Sequence, residues 1–378
     1  MKSKLKKIMG ACLVMVLAFS LALPLPVYAG SAVSEPTVYG SNYEFDEATG
    51  HLTIGKVIEK KSILEINSIP KDKIKSVTIR DGVTKIGDSS PMIGNILHET
   101  PIIGAFEGCT GLTSVTIPDS VREIGDKAFS GCEGLTSITI PNSVTKISTY
   151  AFINCTSLSS INIPNNVTEI GKEAFEGCTV LTSINIPNNV TKIGSGAFIG
   201  CTGLTSINMP DSVTEIGDCA FEGCTGLTSI VIPDSVTSFG DMLLGSVFKG
   251  CTGLTSVTIG NGVKEINSST FEGCTRLTSI NIPDSVTEID EKAFKGCTSL
   301  ISVVIPDSVA YIGRVKLGDG GSTFEGCTSL TSVTIGNGVK EIGPRTFKGC
   351  TDLKEVTIPK RLVIDENDFD EHVKINRV

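Results

Sequence analysis

A cysteine that returns every 23 residues is the feature that most constrains the fold of this chain. Eight of the ten intervals between successive repeat cysteines are 23 residues long, and the other two are 27 and 30. The repeat cysteines are Cys109, Cys132, Cys155, Cys178, Cys201, Cys224, Cys251, Cys274, Cys297, Cys327 and Cys350. Chance does not produce such a series, so one structural unit recurs along most of the chain.

Each unit has the pattern of two short strands joined by tight turns. In the unit that begins at Cys109 the apolar positions are Leu112, Val115, Ile117, Val121, Ile124, Ala128 and Phe129. The first three have the L-x-x-L-x-L spacing of a strand whose marked side chains point inward. The sequence Pro118-Asp119-Ser120 is typical of a turn. Val121 and Ile124 then predict a shorter extended segment, and a tight helical turn leads to Cys132.

One such unit cannot fold alone. Its roughly seven buried apolar side chains contribute on the order of 10–20 kcal/mol, whereas ordering its backbone costs about 1–2 kcal/mol for each residue. Neighbouring units must therefore stack and be capped at both ends. The predicted fold is a parallel-β solenoid of the leucine-rich-repeat type, with about twelve 23-residue coils, short helical turns and a cap at each end.

Both caps have sequence signals. Alternation at Tyr43 and Phe45, turn residues over 46–50 and alternation at Leu52 and Ile54 predict an N-terminal hairpin. At the other end the apolar spacing continues at three residues and the polar outer face expected of a cap follows. The apolar residues are Leu362, Ile364 and Phe369, and the polar ones are Asp365, Glu366, Asp368 and Asp370. The predicted segments are a signal peptide (1–29), the hairpin cap (30–70), the solenoid (71–349) and a terminal repeat with its cap (350–378).

The N-terminus indicates export. A lysine-rich head precedes an apolar run over 8–23, and Pro24, Pro26 and the small-residue site ending at Ala29 follow. This is the plan of a cleaved secretory signal. Removing its four lysines changes the net charge from −9 to −9 − 4 = −13. Because a chain this acidic repels phosphates and anionic lipids, nucleic acid and membrane insertion are not expected. We expect a secreted or cell-surface protein.

The unit G-C-T-x-L-T-S-I-x-I-P-x-S-V-T-x-I-G-x-x-A-F resembles the BspA-type leucine-rich repeat of bacterial surface proteins. The resemblance covers roughly residues 71–378, and the hairpin at 39–54 is similar to the segment that often precedes such arrays. It implies a right-handed parallel-β solenoid that is exported to the cell surface and often linked with adhesion. It supplies no binding residues, since family members recognise different partners.

No arrangement of residues in the sequence predicts catalysis. Stacked repeat cysteines have parallel Cβ vectors about 4.8 Å apart, outside the usual disulfide window, so we expect a ladder of buried free thiols. Cys219 occupies a different position and is expected to be exposed. His51, His98 and His372 lie in different coils, which disfavours a histidine-based site and predicts solvated side chains. The chain is predicted to be no enzyme, with no cofactor and no metal.

Recurring glutamates precede the isoleucine of the second segment and predict a solvated convex edge instead of an acid pair. They are Glu123, Glu169, Glu215, Glu265, Glu288 and Glu341.

Outward positions of the first strand form uncharged columns on the face expected to be concave. The column of most interest for binding contains Thr116, Thr139, Asn162, Asn185, Asn208, Val231, Thr258 and Asn281. Such residues suit hydrogen bonding to a partner. They are also explained equally well by strand propensity and by threonine ladders along the stack.

Three insertions interrupt the regular units at one corner. They span 88–104, 241–246 and 314–322, where other units have two residues. Their candidate binding residues are Ile96, Leu97, His98, Met242, Leu243, Leu244, Val315 and Leu317. An apolar strip along one edge is typical of an interaction surface. The main hypothesis is therefore a module that binds a protein or a cell-surface polymer; the alternative is a structural spacer or coat component. The oligomeric state is left open.

Overall fold

The chain is described by a computed structural model over residues 43–55, 69–87, 104–240, 245–314 and 321–378. Within these ranges it consists of short strands, tight turns and one 3-10 helix, Lys71–Lys73, and contains no α-helix. The predicted parallel-β solenoid is confirmed. The expected helical turns are single turns closed by bonds between residues three apart, such as Cys132 N–H to Phe129 O at 3.1 Å.

The hairpin predicted near the N-terminus consists of β1 (Tyr43–Asp46) and β2 (His51–Ile54), which pair antiparallel. Strand β2 then pairs in parallel with the first strand of the solenoid. The hairpin residues Tyr43, Phe45, Leu52 and Ile54 are buried in the common core. The boundaries of the four predicted segments stay predictions.

The first strands of most coils have the sequence Ser-x-Thr or Ser-x-Asn, and their second residue packs inward and is buried or half-buried. They are β3 (Ser76–Ile79), β5 (Ser114–Thr116), β7 (Ser137–Thr139), β9 (Ser160–Asn162), β11 (Ser183–Asn185), β13 (Ser206–Asn208), β15 (Ser229–Val231), β17 (Ser256–Thr258), β20 (Ser302–Ile305), β22 (Ser332–Ile335) and β24 (Glu355–Ile358). Paired residues are equivalent positions of successive coils, as in Asn185 beside Asn208.

The second strands are shorter and run along another side of the stack. They are β4 (Lys85–Ile86), β6 (Glu123–Ile124), β8 (Lys146–Ile147), β10 (Glu169–Ile170), β12 (Lys192–Ile193), β14 (Glu215–Ile216), β16 (Ser238–Phe239), β18 (Glu265–Ile266), β19 (Glu288–Asp290), β21 (Tyr311–Arg314) and β23 (Glu341–Ile342). Strands β4 to β16 form a seven-stranded sheet, and β18 to β23 form a four-stranded one. At the break, Asn267 replaces the usual glycine and its side chain donates to Phe239 O.

Two ladders run through the apolar core beside stacked leucine, valine and isoleucine side chains. Twelve phenylalanine rings, one from each coil, stack with centroids 5.0–5.5 Å apart, from Phe106 to Phe369. Beside them the repeat cysteines are buried free thiols, as predicted. From Cys132 onwards each thiol donates to the phenylalanine carbonyl of the preceding coil, for example Cys178 Sγ to Phe152 O at 3.3 Å. Because each coil buries its neighbour's ring, the apolar core is continuous.

The C-terminal cap differs from expectation in two ways. Asp368 is buried instead of lying on the outer polar face, because its carboxylate accepts from Asp365 N at 2.6 Å and closes the last turn. Burial raises the pKa of this carboxyl. In addition the polar tail forms a further strand, β25 (Lys374–Arg377), which pairs in parallel with β24.

Candidate functional site

The roots of all three insertions lie at the same corner of the coil, immediately after strands β4 and β16 and at the end of strand β21. The chain leaves the stack at Gly87, Gly240 and Gly313, whose φ angles are 86°, 78° and 71°. Regular coils have no positive φ at this position, as Gly125 shows. A left-handed residue is needed there because the chain must turn out of the coil, and glycine adopts that conformation without steric cost.

The second and third insertions rejoin the stack without interrupting the turn hydrogen bonds between coils. In regular coils the turn residue donates to the next coil, as Lys127 N–H does to Thr149 O at 3.0 Å. Around the second insertion the same bonds link Cys219 N–H to Gly245 O and Ser246 N–H to Ser268 O. Around the third, Lys292 N–H donates to Gly321 O at 3.0 Å. Insertion length is therefore decoupled from coil stacking.

The predicted binding residues on the insertions lie outside the described residues. They are Ile96, Leu97, His98, Met242, Leu243, Leu244, Val315 and Leu317. Those of the strand face are all described and exposed: Thr116, Thr139, Asn162, Asn185, Asn208, Thr258 and Asn281. Strand pairing places several of them side by side, including Thr139 next to Asn162.

Two columns of the strand face differ in how their side chains are used. In the column that begins at Thr113, hydroxyls donate to carbonyls of the preceding coil, as in Thr205 Oγ1 to Thr182 O at 3.1 Å. Those threonines support the stack. Within the described part of the chain, the seven predicted residues of the Thr116–Asn281 column make no side-chain hydrogen bond. Their hydroxyl and amide groups remain available to a partner.

An apolar pair on this face was missed by sequence reasoning. Ile301 and Val304 are 52% and 61% exposed, and they belong to the coil that carries the third insertion. Ile301 occupies the position that holds threonine or serine in neighbouring coils, so the departure from the column pattern was the available signal. Together with Val231 in the same column as Val304, the pair adds apolar contact area to an otherwise polar face.

A groove runs beside the second strands and has a volume of about 510 Å³. Gly171, Gly194 and Gly217 line it together with lysine, carboxylate and hydroxyl side chains. A Cβ on Gly194 would lie 2.6 Å from Lys172 N, so close backbone packing explains the glycines. Along this groove the residue before the isoleucine of each second strand alternates between lysine and glutamate. The glutamates of this column were identified from the sequence, but the alternation was not.

Cys219 is buried, and the prediction that it is exposed was wrong. It is 5% exposed and has a φ of 56°. Cys219 is the turn residue before the alanine and phenylalanine of its coil, and the equivalent residues of other coils adopt the same left-handed conformation. Longer side chains at this position, such as Lys127 and Lys292, reach partly into solvent. The short thiol does not, because the chain that returns from the second insertion packs against it at Gly245.

Two further expectations about polar side chains were wrong. Glu288 is buried instead of solvated, because Arg314 of the next coil pairs with it at 3.4 Å. His51 is half-buried, since its Nδ1 lies 2.7 Å from Ser76 Oγ on the adjoining strand. His372 is exposed as expected, and His98 lies outside the described residues.

Glu176 has the most perturbed carboxyl on the outer turns. Burial, together with a hydrogen bond and repulsion from Glu173, raises its pKa to about 8. Among the described residues, no group of three or more histidine, cysteine or acidic side chains is arranged to hold a metal ion. Over the same ranges, the structure has no helix with the length and apolarity needed to span a membrane.

The fold defines a class of protein, the leucine-rich-repeat solenoid, in which stacked coils form a regular array. A family model described as "BspA type Leucine rich repeat region" matches residues 103–228, 214–319 and 320–378, with six copies of the repeat. The chain belongs to this BspA-type family. Among curated proteins, none matches it significantly.

A solved structure agrees with the assignment of the fold. A leucine-rich repeat protein from Bacteroides ovatus is 29% identical, covers 93% of this chain and 100% of its own, and superposes with a TM-score of 0.59. Two others are similar at lower TM-scores. A leucine rich cell surface protein from Faecalibacterium prausnitzii is 27% identical over 80% of this chain and 96% of its own, with a TM-score of 0.38. A leucine-rich repeat protein from Eubacterium ventriosum is 22% identical over 90% and 95%, with a TM-score of 0.45.

Proposed function

We propose that the mature chain is an exported binding module that recognises a large partner, a protein or a cell-surface polymer, at the corner where its insertions emerge. The observation that carries the proposal is that three insertions leave the stack at one corner, while at the second and third the turn hydrogen bonds between coils continue past them. A scaffold that tolerates variation at a single corner is suited to presenting recognition segments.

Specificity needs local difference. Regular coils present nearly the same threonine, serine and asparagine groups many times over, so they offer repeated contacts but no unique register. The insertions supply the difference. The first and second roots are separated by six strand spacings in the seven-stranded sheet, or about 29 Å. That span exceeds a small ligand and suits a protein or polymer.

The uncharged strand face supports the same proposal. Its Thr116–Asn281 column offers hydroxyl and amide groups with no partner within the described residues. The exposed pair Ile301 and Val304 adds apolar area in the coil of the third insertion. Buried thiols with raised pKa values, such as Cys155 at about 12, are poor nucleophiles. The surface thus favours adhesion or protein binding over catalysis, at the secreted or cell-surface location that the N-terminal signal predicts.

The test is to shorten each insertion to the two-residue connection of a regular coil. Deleting residues 89–103, 242–245 and 315–321 leaves such a connection at every root. Parent and trimmed mature chains are compared by surface plasmon resonance against host matrix proteins, mucin and cell walls of the producing bacterium. We expect an unchanged circular dichroism spectrum and a large loss of binding, because surface loops tolerate changes of length.

A matched variant separates the edge from the face. The triple change Asn162→Ala, Asn185→Ala and Asn208→Ala alters only exposed side chains of the strand face. It should weaken binding less than the trimming does. If the folded, trimmed chain binds its partner as tightly as the parent, the insertions are not the recognition surface. If the parent binds nothing in the panel, a spacer or coat role is favoured instead.

A further inference from the structure

One residue of each second strand alternates in charge over six successive coils. These residues, here called the charge ladder, are Lys85, Glu123, Lys146, Glu169, Lys192 and Glu215. Strand pairing sets consecutive members side by side, for example Glu123 beside Lys146 and Glu169 beside Lys192. The next coil ends the ladder with the uncharged Ser238.

Members of the ladder pair with one another within the chain, and several of them are also exposed to solvent. Lys85 and Lys146 reach Glu123 at 3.8 and 3.7 Å, and Lys192 reaches Glu215 at 3.2 Å. The side chains of Lys146, Lys192 and Glu215 are 51%, 46% and 55% exposed. Exposed ion pairs of this kind contribute little to folding stability. Each ammonium has three donors and each carboxylate several acceptor sites, so both accept further partners.

An alternating ladder with an even number of members is complementary to itself. When a second copy is turned end for end about a two-fold axis between Lys146 and Glu169, the two ladders run antiparallel. Lys85 then faces Glu215 of the second copy, and Lys146 faces Glu169 of the second copy. Glu123 likewise faces Lys192 of the second copy. A parallel arrangement in register, or an antiparallel one shifted by a single coil, places like charges opposite each other.

The flanks of the ladder are compatible with this arrangement. On one side lies a column of Arg122, Thr145, Thr168, Thr191 and Thr214. Three of its threonine hydroxyls bond within the stack, and Arg122 would face the neutral Thr191 of the second copy. On the other side is the groove. The same two-fold axis would set Asp126 opposite Ser195 and Thr149 opposite Lys172, so no like charges meet among these described residues.

We propose that the charge ladder is a docking surface for a second copy of this chain, forming an antiparallel two-fold dimer. Two-fold dimers use one self-complementary patch on both subunits. A uniformly acidic or basic partner would meet repulsion at every second coil. The ladder extends only about 24 Å over its five strand spacings, a narrow strip compared with standard stable interfaces. The dimer is therefore weak and sensitive to salt.

Sedimentation velocity of the mature chain over a range of concentrations tests the proposal without any external partner. At low ionic strength the chain dimerises, and at about 1 M salt, where charges are screened beyond ~3 Å, it dissociates. Two variants probe the centre of the ladder. Lys146→Glu alone and Glu169→Lys alone each put two like-charge contacts at the two-fold axis, so each raises the dissociation constant roughly tenfold or more.

Mixing the two variants is the decisive measurement. In the mixed dimer the introduced glutamate of one variant meets the introduced lysine of the other, and the unchanged Glu169 of the first meets the unchanged Lys146 of the second. Association therefore returns to the parent level, although each variant alone associates more weakly than the parent. Lys264→Glu and Glu341→Lys, which carry the same charge changes at exposed positions outside the ladder, should leave the parent dimer intact. The proposal is overturned if the parent stays monomeric at low salt, or if the mixture of folded variants fails to associate.

The double variant with Lys146→Glu and Glu169→Lys in one chain separates dimerisation from stacking. It keeps opposite charges at the two-fold axis, but within the chain it places the introduced glutamate beside Glu123 and the introduced lysine beside Lys192. We expect dimerisation to be retained while the melting temperature falls. Loss of dimerisation in this variant, with its spectrum unchanged, would show that the ladder serves only the stack.

Discussion

Replacing Phe175 by alanine tests the stacked core directly. The ring is fully buried and lies between Phe152 and Phe198, with centroid distances of 5.4 and 5.5 Å and interplanar angles of 2° and 4°. Truncating a buried phenylalanine costs about 3–5 kcal/mol in the free energy of unfolding. Two stacking contacts, each worth ~0.5–1.5 kcal/mol beyond burial, place Phe175→Ala at the upper end of that range.

Position in the array predicts a graded series. Phe369 is the last ring of the stack and contacts only Phe347, at 5.0 Å. Phe369→Ala should therefore cost about 1 kcal/mol less than Phe175→Ala, because one stacking contact is lost instead of two. Thr182 is exposed and, unlike Thr205, its hydroxyl makes no hydrogen bond within the described residues. Thr182→Ala should therefore alter the free energy of unfolding by no more than about 0.5 kcal/mol.

Urea unfolding followed by circular dichroism gives the three free energies. In an array stabilised by contacts between neighbours, an interior lesion also weakens coupling between the two halves. Phe175→Ala should broaden the transition or split it, whereas Phe369→Ala should only shift it. Equal losses for Phe175→Ala and Thr182→Ala would refute the assignment of inward and outward positions. A larger loss for Phe369→Ala than for Phe175→Ala would refute the stacking argument.

Three further predictions use thiols, pH and backbone packing. Alkylation of the native mature chain should label almost none of its twelve cysteines, Cys219 included, because all are buried and burial raises the pKa of Cys109 to about 11. Denaturant without reductant should expose all twelve to the reagent. Labelling of Cys219 in the native chain would contradict its burial. The pKa of Glu176 is raised to about 8 from a usual 4.5, so the protonated side chain contributes stability that is fully present below pH 4.5 and is lost as the pH rises through 8. Glu176→Gln should therefore raise the free energy of unfolding at pH 8 by about 1 kcal/mol after allowing for solvent screening. Thermal melts at pH 4.5 and 8 check this prediction. Gly194→Ala places a Cβ 2.6 Å from Lys172 N and should lower the free energy of unfolding by several kcal/mol. Gly200→Ala meets no atom within 4 Å but has a φ of 66°, so it should lower that free energy by about 1 kcal/mol. Thermal melts showing equal losses would argue against the close approach of the coils.

Much of the binding surface could be anticipated from the sequence. The column of Thr116, Asn185 and their equivalents follows from the strand period, since alternate residues of a strand point to opposite faces. The common corner of the insertions follows from counting residues between fixed landmarks. Counting residues along the repeat does not show which hydroxyls form hydrogen bonds within the stack. Thr205 and Asn208 both face outward, yet the Thr205 hydroxyl bonds to the preceding coil and the Asn208 amide does not.

The repeat by itself determined the solenoid, its stacked phenylalanines and its buried thiols. The reason is that equivalent residues of successive 23-residue coils lie directly above one another. Only the tertiary structure decided the fate of residues that depart from the repeat. Cys219 is buried by the chain returning at Gly245, Glu288 by Arg314 of the next coil, and Asp368 by its own final turn. The physical reason is that burial of a single side chain depends on what the chain places against it in space. For Cys219 and Glu288 that contact comes from the neighbouring coil or a returning insertion, which no local sequence pattern contains.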